Sequence, residues 1–231
     1  MPNRAGLTLR QAALIAGFGY LLDPVSYAEF TLYPKLVIPG DIDQTIANIS
    51  AHHGTFLALF FCYFINFIED IVIAWALYVL LAPVNRAVSL LAALFRWVFA
   101  GLSIAATFNL VIVYRMLTTP EYSQLFGTRA LAAQVALLLH SFRYEYSMGL
   151  TIFALHLIVI GGLIFASGYI PKWLGVILVI DGLGWIVMPL QPYLWPNANL
   201  DWVIVTAFGE LIFLLWLLIW GWRIKEPVVQ V

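Results

Sequence analysis

In a chain of 231 residues, 63% are hydrophobic and only 10% charged, against roughly 25% charged in a soluble domain, so the polar side chains cannot cover a globule in water. Lys and Arg number 11 and Asp and Glu 12, a net charge of −1, and no basic block tracks a phosphate backbone, which argues against nucleic acid as a partner. Cys62 is the single cysteine, so an internal disulfide and a CxxC metal or redox pair are both excluded.

A bilayer core takes about 20 apolar residues per helix. That ruler places spans near 12–32, 55–82, 88–114, 148–168, 174–191 and 201–222. The expected fold is all-α, a polytopic six-helix transmembrane bundle forming one domain over 1–231. The first span is interrupted, because Asp23 and Pro24 follow the apolar run 12–22 and proline removes a backbone bond and kinks a helix. Arg4 and Arg10 before that run, with Ser26, Tyr27 and Ala28 after it, also fit a removed secretory leader. Between the third and fourth spans, 130–146 is apolar around most of a helix, with Arg143 and Glu145 near its end. It is expected as an additional interfacial helix, or else as an outward extension of the fourth span. Gly161, Gly162 and Gly168, facing Gly175, Gly182 and Gly184 on the next span, suit close backbone packing. Tight turns at 83–86 and 171–172 join long apolar helices, each with a proline and a cation.

Arg4, Arg10, Arg86, Lys172, Arg223 and Lys225 fall in short segments on one side, and Lys35, Arg115, Arg129 and Arg143 in longer loops on the other. The positive-inside bias then makes both termini cytoplasmic, with Trp195 and Trp202 at the outer interface and Trp173, Trp220 and Trp222 at the inner one.

The segment FALHLIVIGGLIFASGYIPKWLGVILVIDGLGW, the upstream LYVLLAPVNRAVSLLAALFRW, the early VIPGD and the late GELIFLLWLLIWGW together resemble the bacterial integral membrane family known as domain-of-unknown-function family 4386. The resemblance covers most of the chain in the same order. Its most telling pieces are His156, the turn Ser167-Gly168-Tyr169-Ile170-Pro171, and Gly209-Glu210. It implies a six-helix protein of the bacterial plasma (inner) membrane, with no activity assigned to the family. Asp23 and Asp181 depart from the uncharged residues expected in relatives, so any role for them is particular to this chain.

The spans contain Asp23, Glu69, Asp70, Arg96, His156, Asp181 and Glu210. At roughly 2.5 to 3.5 kcal/mol for a charge at a helix centre, such a set costs on the order of 15 kcal/mol before pairing or neutralisation offsets it. Asn66, Glu69 and Asp70 share one helix face. Ser89, Arg96, Ser103 and Thr107 make a polar stripe on the next helix, suited to receive that face. Arg96, always protonated, is expected to pair with Asp70 or Glu69, with Asp181 as the rival. His156 and Glu210 lie at a similar depth of about 12 to 14 Å from the outer ends of their spans. With Thr206 and Glu69 they form the candidate site, a proton relay or the binding site of a small molecule or ion.

Two alternatives carry different chemistry. Glu69, His156 and Glu210 could hold a metal for hydrolysis of a lipid, although no HExxH motif supports it. A scaffold or accessory subunit of a larger membrane complex would instead use the buried polar groups as interhelical glue. No residue is singled out as catalytic and no cofactor is expected, since His140 and His156 are about 24 Å apart along any continuous helix and cannot flank a haem together. His52, His53 and His140 read as solvated loop residues. The expected partners are membrane lipids and a second copy or larger complex.

Overall fold

The computed structural model describes residues 6–225, so Arg4 lies outside the described residues. All regular structure among them is helical. In chain order it runs through α1 (Leu9–Leu22), α2 (Val25–Tyr27), a π-helical turn (Ala28–Leu32), α3 (Tyr33–Leu36), α4 (Ile42–Ala51), α5 (His53–Leu81) and α6 (Arg86–Thr118). It continues with α7 (Pro120–Ser167), α8 (Lys172–Leu194), a 3₁₀ segment (Asp201–Ala207), α9 (Phe208–Trp220) and a last 3₁₀ turn (Gly221–Arg223).

Five stretches, His53–Leu81, Arg86–Thr118, Pro120–Ser167, Lys172–Leu194 and Asp201–Arg223, are long and apolar enough to cross a membrane. The expected first span is not one helix. α1 has 14 residues, about 21 Å at 1.5 Å per residue, short of an apolar core about 30 Å thick. It stops where Pro24 has no N–H to give, and the Asp23 carboxylate accepts the Val25 N–H at 2.9 Å, capping the chain as it restarts.

The stretch 130–146 is not a separate helix. α7 breaks at Gly127, whose φ of 68° and ψ of 166° are not helical, and 128–167 then runs uninterrupted for about 60 Å, twice the apolar thickness of a bilayer. The fourth span is thus extended by some four turns at its N-terminal end, the alternative form of the expectation.

The chain divides into two compact units. The first takes α1, the segment Glu69–Ala100 and everything from Met148 onward. Its burial is inverted relative to a soluble protein. Asp70, Ser89, Arg96, His156 and Asp181 are buried, while Ile71, Val72, Trp75, Leu90, Leu94 and Val98 are exposed, an outer surface suited to lipid. α1 runs antiparallel to α9, with Ala13 against Gly221, Gly17 against Leu217 and Leu218, and the Tyr20 and Phe213 rings edge to face at 6.5 Å. Arg10 Nε donates to the Ile224 carbonyl at 2.8 Å, fixing the start of α1 beside the end of α9.

α7 and α8 pack backbone to backbone. A Cβ on Gly161 would lie 2.6 Å from the Gly175 carbonyl oxygen, and one on Gly182 would lie 2.8 Å from that of Ala154. Gly168 has φ 73° and makes the turn between them. Tyr169 in that turn donates to the Leu80 carbonyl at 2.6 Å, tying it to the end of α5.

The second unit comprises Asp23–Ile68 and Gly101–Ser147. Arg143 Nη1 donates to both Glu29 oxygens at 2.7 and 2.5 Å, its guanidinium lies 4.8 Å from the Tyr33 ring centroid, and the Tyr63 hydroxyl donates to Glu29. The Tyr63 ring meets Phe142 at 5.0 Å and Tyr146 at 5.3 Å. Asn109 donates to Glu145 at 2.9 Å. Glu29 lies on the π-helical turn, an irregularity often found at functional positions.

Gly175→Leu should lower the melting temperature in detergent, a loss of about 1 to 3 kcal/mol from overpacking, because its Cβ already meets α7 backbone. Gly162→Ala, which opens into free space, should leave melting unchanged; equal losses from both variants would contradict this packing.

Candidate functional site

Within the first unit the site is built around Arg96, two and a half turns into α6. The Asn85 side chain accepts the Val88 N–H at 3.1 Å and starts that helix as an N-cap does. The guanidinium is 3% exposed. Its Nε donates to Asp70 Oδ1 at 2.8 Å, and Nη2 lies 2.7 Å from the same oxygen. Nη1 donates to the Tyr20 hydroxyl at 2.6 Å. The Tyr20 and Phe153 ring centroids lie 4.7 and 5.0 Å from its Cζ, close enough for cation–π attraction in a desolvated setting.

His156 completes the arrangement from α7. Its Nδ1 lies 2.9 Å from the Ala92 carbonyl oxygen, and a carbonyl can only accept, so Nδ1 carries the proton. The Nε2 lone pair then faces Arg96 Nη1 at 3.5 Å, as an acceptor. The imidazole stacks on Phe153 at 5.9 Å between centroids and is wholly buried. Counted from the helix ends nearest the 83–86 and 168–171 turns, Tyr20, Asp70, Arg96 and His156 all lie about 15 to 17 Å along their helices. That is close to half the apolar thickness of a bilayer.

Glu210 on α9 is within electrostatic reach of both Tyr20 and Arg96. Its backbone N–H is held by Asp181, whose Oδ2 accepts at 3.0 Å. This carboxylate, one turn from the Trp185 indole on α8, therefore caps the first turn of α9, just where the 3₁₀ segment gives way to α-helix. Gly209 permits the approach, since a Cβ there would be 2.8 Å from Asp181 Oδ2.

Of the three partners expected for Arg96, the structure places Asp70 in the ion pair, Glu69 half-buried beside it, and Asp181 on α9 instead. Ser89, Ser103 and Thr107 are buried as the polar stripe requires. Ser89 donates to the Tyr78 carbonyl at 2.9 Å and Thr107 to that of Ser103 at 2.8 Å. Asn66 belongs to the second unit, where it donates to Asp23 at 3.3 Å. His156 and Thr206 do not turn to one another: Thr206 donates to the Val203 carbonyl at 2.9 Å and packs on Gly184. Among the described residues no three His, Cys, Asp or Glu side chains are gathered to hold a metal, so Glu69, His156 and Glu210 are not assembled as a ligand set.

Two contributions were missing from the sequence reading. Tyr20 supplies the only hydroxyl on Arg96 among the described contacts, and its signal was a phenol in the first apolar run three residues before Asp23. Glu29 lies inside the expected first span at 12–32 and is engaged by Arg143; a carboxylate within a span was its signal.

The family profile described as "Domain of unknown function (DUF4386)" matches residues 15–221. A protein of Archaeoglobus fulgidus, named only as uncharacterized, is 32% identical over 165 residues, covering 71% of this chain and 85% of its own length. No solved structure matches the chain.

Tyr20→Phe keeps the ring and removes the hydroxyl from a charged donor. It should cost about 1.5 kcal/mol of stability in detergent melting; a variant as stable as the parent would show that Arg96 does not depend on that hydroxyl.

Proposed function

The chain belongs to the family of unknown function DUF4386, and on that premise we propose that it is an integral membrane protein whose Arg96 network binds or passes a small molecule or ion with linked proton movement. The observation that carries this reading is the convergence of a guanidinium, a carboxylate, a phenol and an imidazole from four helices at mid-depth, with Glu210 in electrostatic reach. Well-packed apolar side chains of similar volume often serve stability as well as a buried ion pair or better. Ionisable residues retained at that depth are by default those that relays and substrate sites use.

His156 supplies the linkage. A proton arriving at Nε2 would set an imidazolium against the guanidinium of Arg96, a like-charge contact. Either Arg96 shifts away or a second carboxylate, Glu210, compensates. Proton binding and rearrangement of the ion pair are thereby coupled, which is the property a proton-linked carrier requires.

The same reading assigns six crossings. Five crossings that begin at His53 and end at Arg223 start and finish on opposite faces. Arg10 meets Ile224 at the finishing face, so the chain between 9 and 52 passes once from that face to the other, in a crossing broken at Asp23 and Pro24. Arg10, Arg86, Lys172, Arg223 and Lys225 gather on the finishing face, which the positive-inside bias makes cytoplasmic. The membrane is the plasma (inner) membrane of a prokaryote, in keeping with the archaeal relative.

The test is proton flux into vesicles that hold a pH-sensitive dye and purified protein, after an imposed pH step. The parent protein should collapse the step faster than empty vesicles, and His156→Gln and Glu210→Gln, still folded by melting, should slow it at least tenfold. Flux no greater than in empty vesicles, or undiminished in both variants, would overturn the relay.

A further inference from the structure

At the end of the first unit where Arg10 meets Ile224, a cleft of about 560 Å³ opens between the turn after α7 and the last turns of α9, a volume typical of ligand sites. Ile170 and Trp216 are buried in its wall and Trp220 is 44% exposed, while Arg223 and Lys225 on its border are exposed. Among the described residues that line it there is no carboxylate. Both walls are anchored, one by Tyr169 on the Leu80 carbonyl at 2.6 Å and the other by Arg10 on that of Ile224 at 2.8 Å. Arg10 also adds a third cation to this end.

The gradient from apolar floor to cationic border is that of a membrane interface, where tryptophan lies at headgroup level and cytoplasmic basic residues attract anionic headgroups. We propose that this cleft binds an anionic phospholipid of the adjoining leaflet, its phosphate between Arg223 and Lys225 and the upper part of an acyl chain against Trp216 and Trp220. A free phosphate would satisfy the two cations and leave the indole wall unused; a zwitterionic lipid would satisfy the wall and gain little from the cations. The assignment rests on the membrane reading above and is independent of the proton relay.

Native mass spectrometry of the full chain in mild detergent tests it, with phosphatidylglycerol, phosphatidylcholine or inorganic phosphate added. One phosphatidylglycerol should be retained in preference to phosphatidylcholine. Affinity should fall about 30-fold in Arg223→Gln/Lys225→Gln, each cation near the surface contributing about tenfold or somewhat less. It should fall in Trp220→Ala as well, and His156→Gln should bind as the parent does. Equal retention of phosphatidylcholine, binding unaffected by the double substitution, or displacement by millimolar inorganic phosphate would overturn the lipid assignment. A protein that stays monodisperse without detergent would defeat the membrane reading itself, whereas a detergent-bound protein that keeps no phosphatidylglycerol defeats only the cleft.

Discussion

A guanidinium does not shed its proton at any pH a cell reaches, so Arg96 stays charged wherever the chain puts it. Buried in helices whose outward faces are Ile, Leu, Val and Trp, it obliges its neighbours to supply what water would have supplied. Asp70 gives the countercharge, Tyr20 and His156 give acceptors, and Tyr20 and Phe153 give ring faces. Those groups come from α1, α5 and α7, and each is oriented by another contact: Tyr20 by Phe213, His156 by the Ala92 carbonyl. The charge thus fixes how α1, α5, α6 and α7 are rotated about their axes within the first unit, which apolar packing alone specifies poorly in a lipid-like solvent.

The same constraint explains why a helix as short as α1 keeps its place. It has too few residues to span an apolar core, yet its start is held by Arg10 on Ile224 and its far end by Tyr20 on Arg96. Small residues close the gap between these points, with Ala13 and Gly17 against α9. α9 in turn begins at the Asp181 carboxylate, which accepts the Glu210 N–H. Asp181, a departure from the resembled family, has a local task in this chain: it replaces the side-chain cap that the 3₁₀ segment before α9 does not provide.

Hydropathy made the long helices legible, because a run of some twenty apolar residues has one reading in a chain with so little charge. It also restricted the partners of Arg96 to three carboxyls, of which Asp70 is the one used. Depth was the point of failure. The fourth span was started at 148 because hydropathy carries no sign that a helix continues past the bilayer, and α7 in fact runs unbroken from 128. That error put His156 with Thr206 and Glu210 in an outer cluster and away from Arg96. Measured from the other helix end, His156 and Arg96 are at one level. Which carboxyl a helix turns toward a neighbour depends on its rotation, which no periodicity reveals when the span is apolar all round. Tyr20 was passed over for a related reason, since a phenol in an apolar run reads as an interface aromatic until a cation is found beside it.

A double-mutant cycle on Asp70 and Arg96, read by chemical or thermal unfolding in detergent, tests this account most directly. Asp70→Asn and Arg96→Met should each cost about 3 kcal/mol, because each strands a buried partner, and the double variant should cost less than their sum by about 2 kcal/mol or more. Losses that add to within about 0.5 kcal/mol would mean the two side chains are not coupled, and the first unit would then not be organised around this charge.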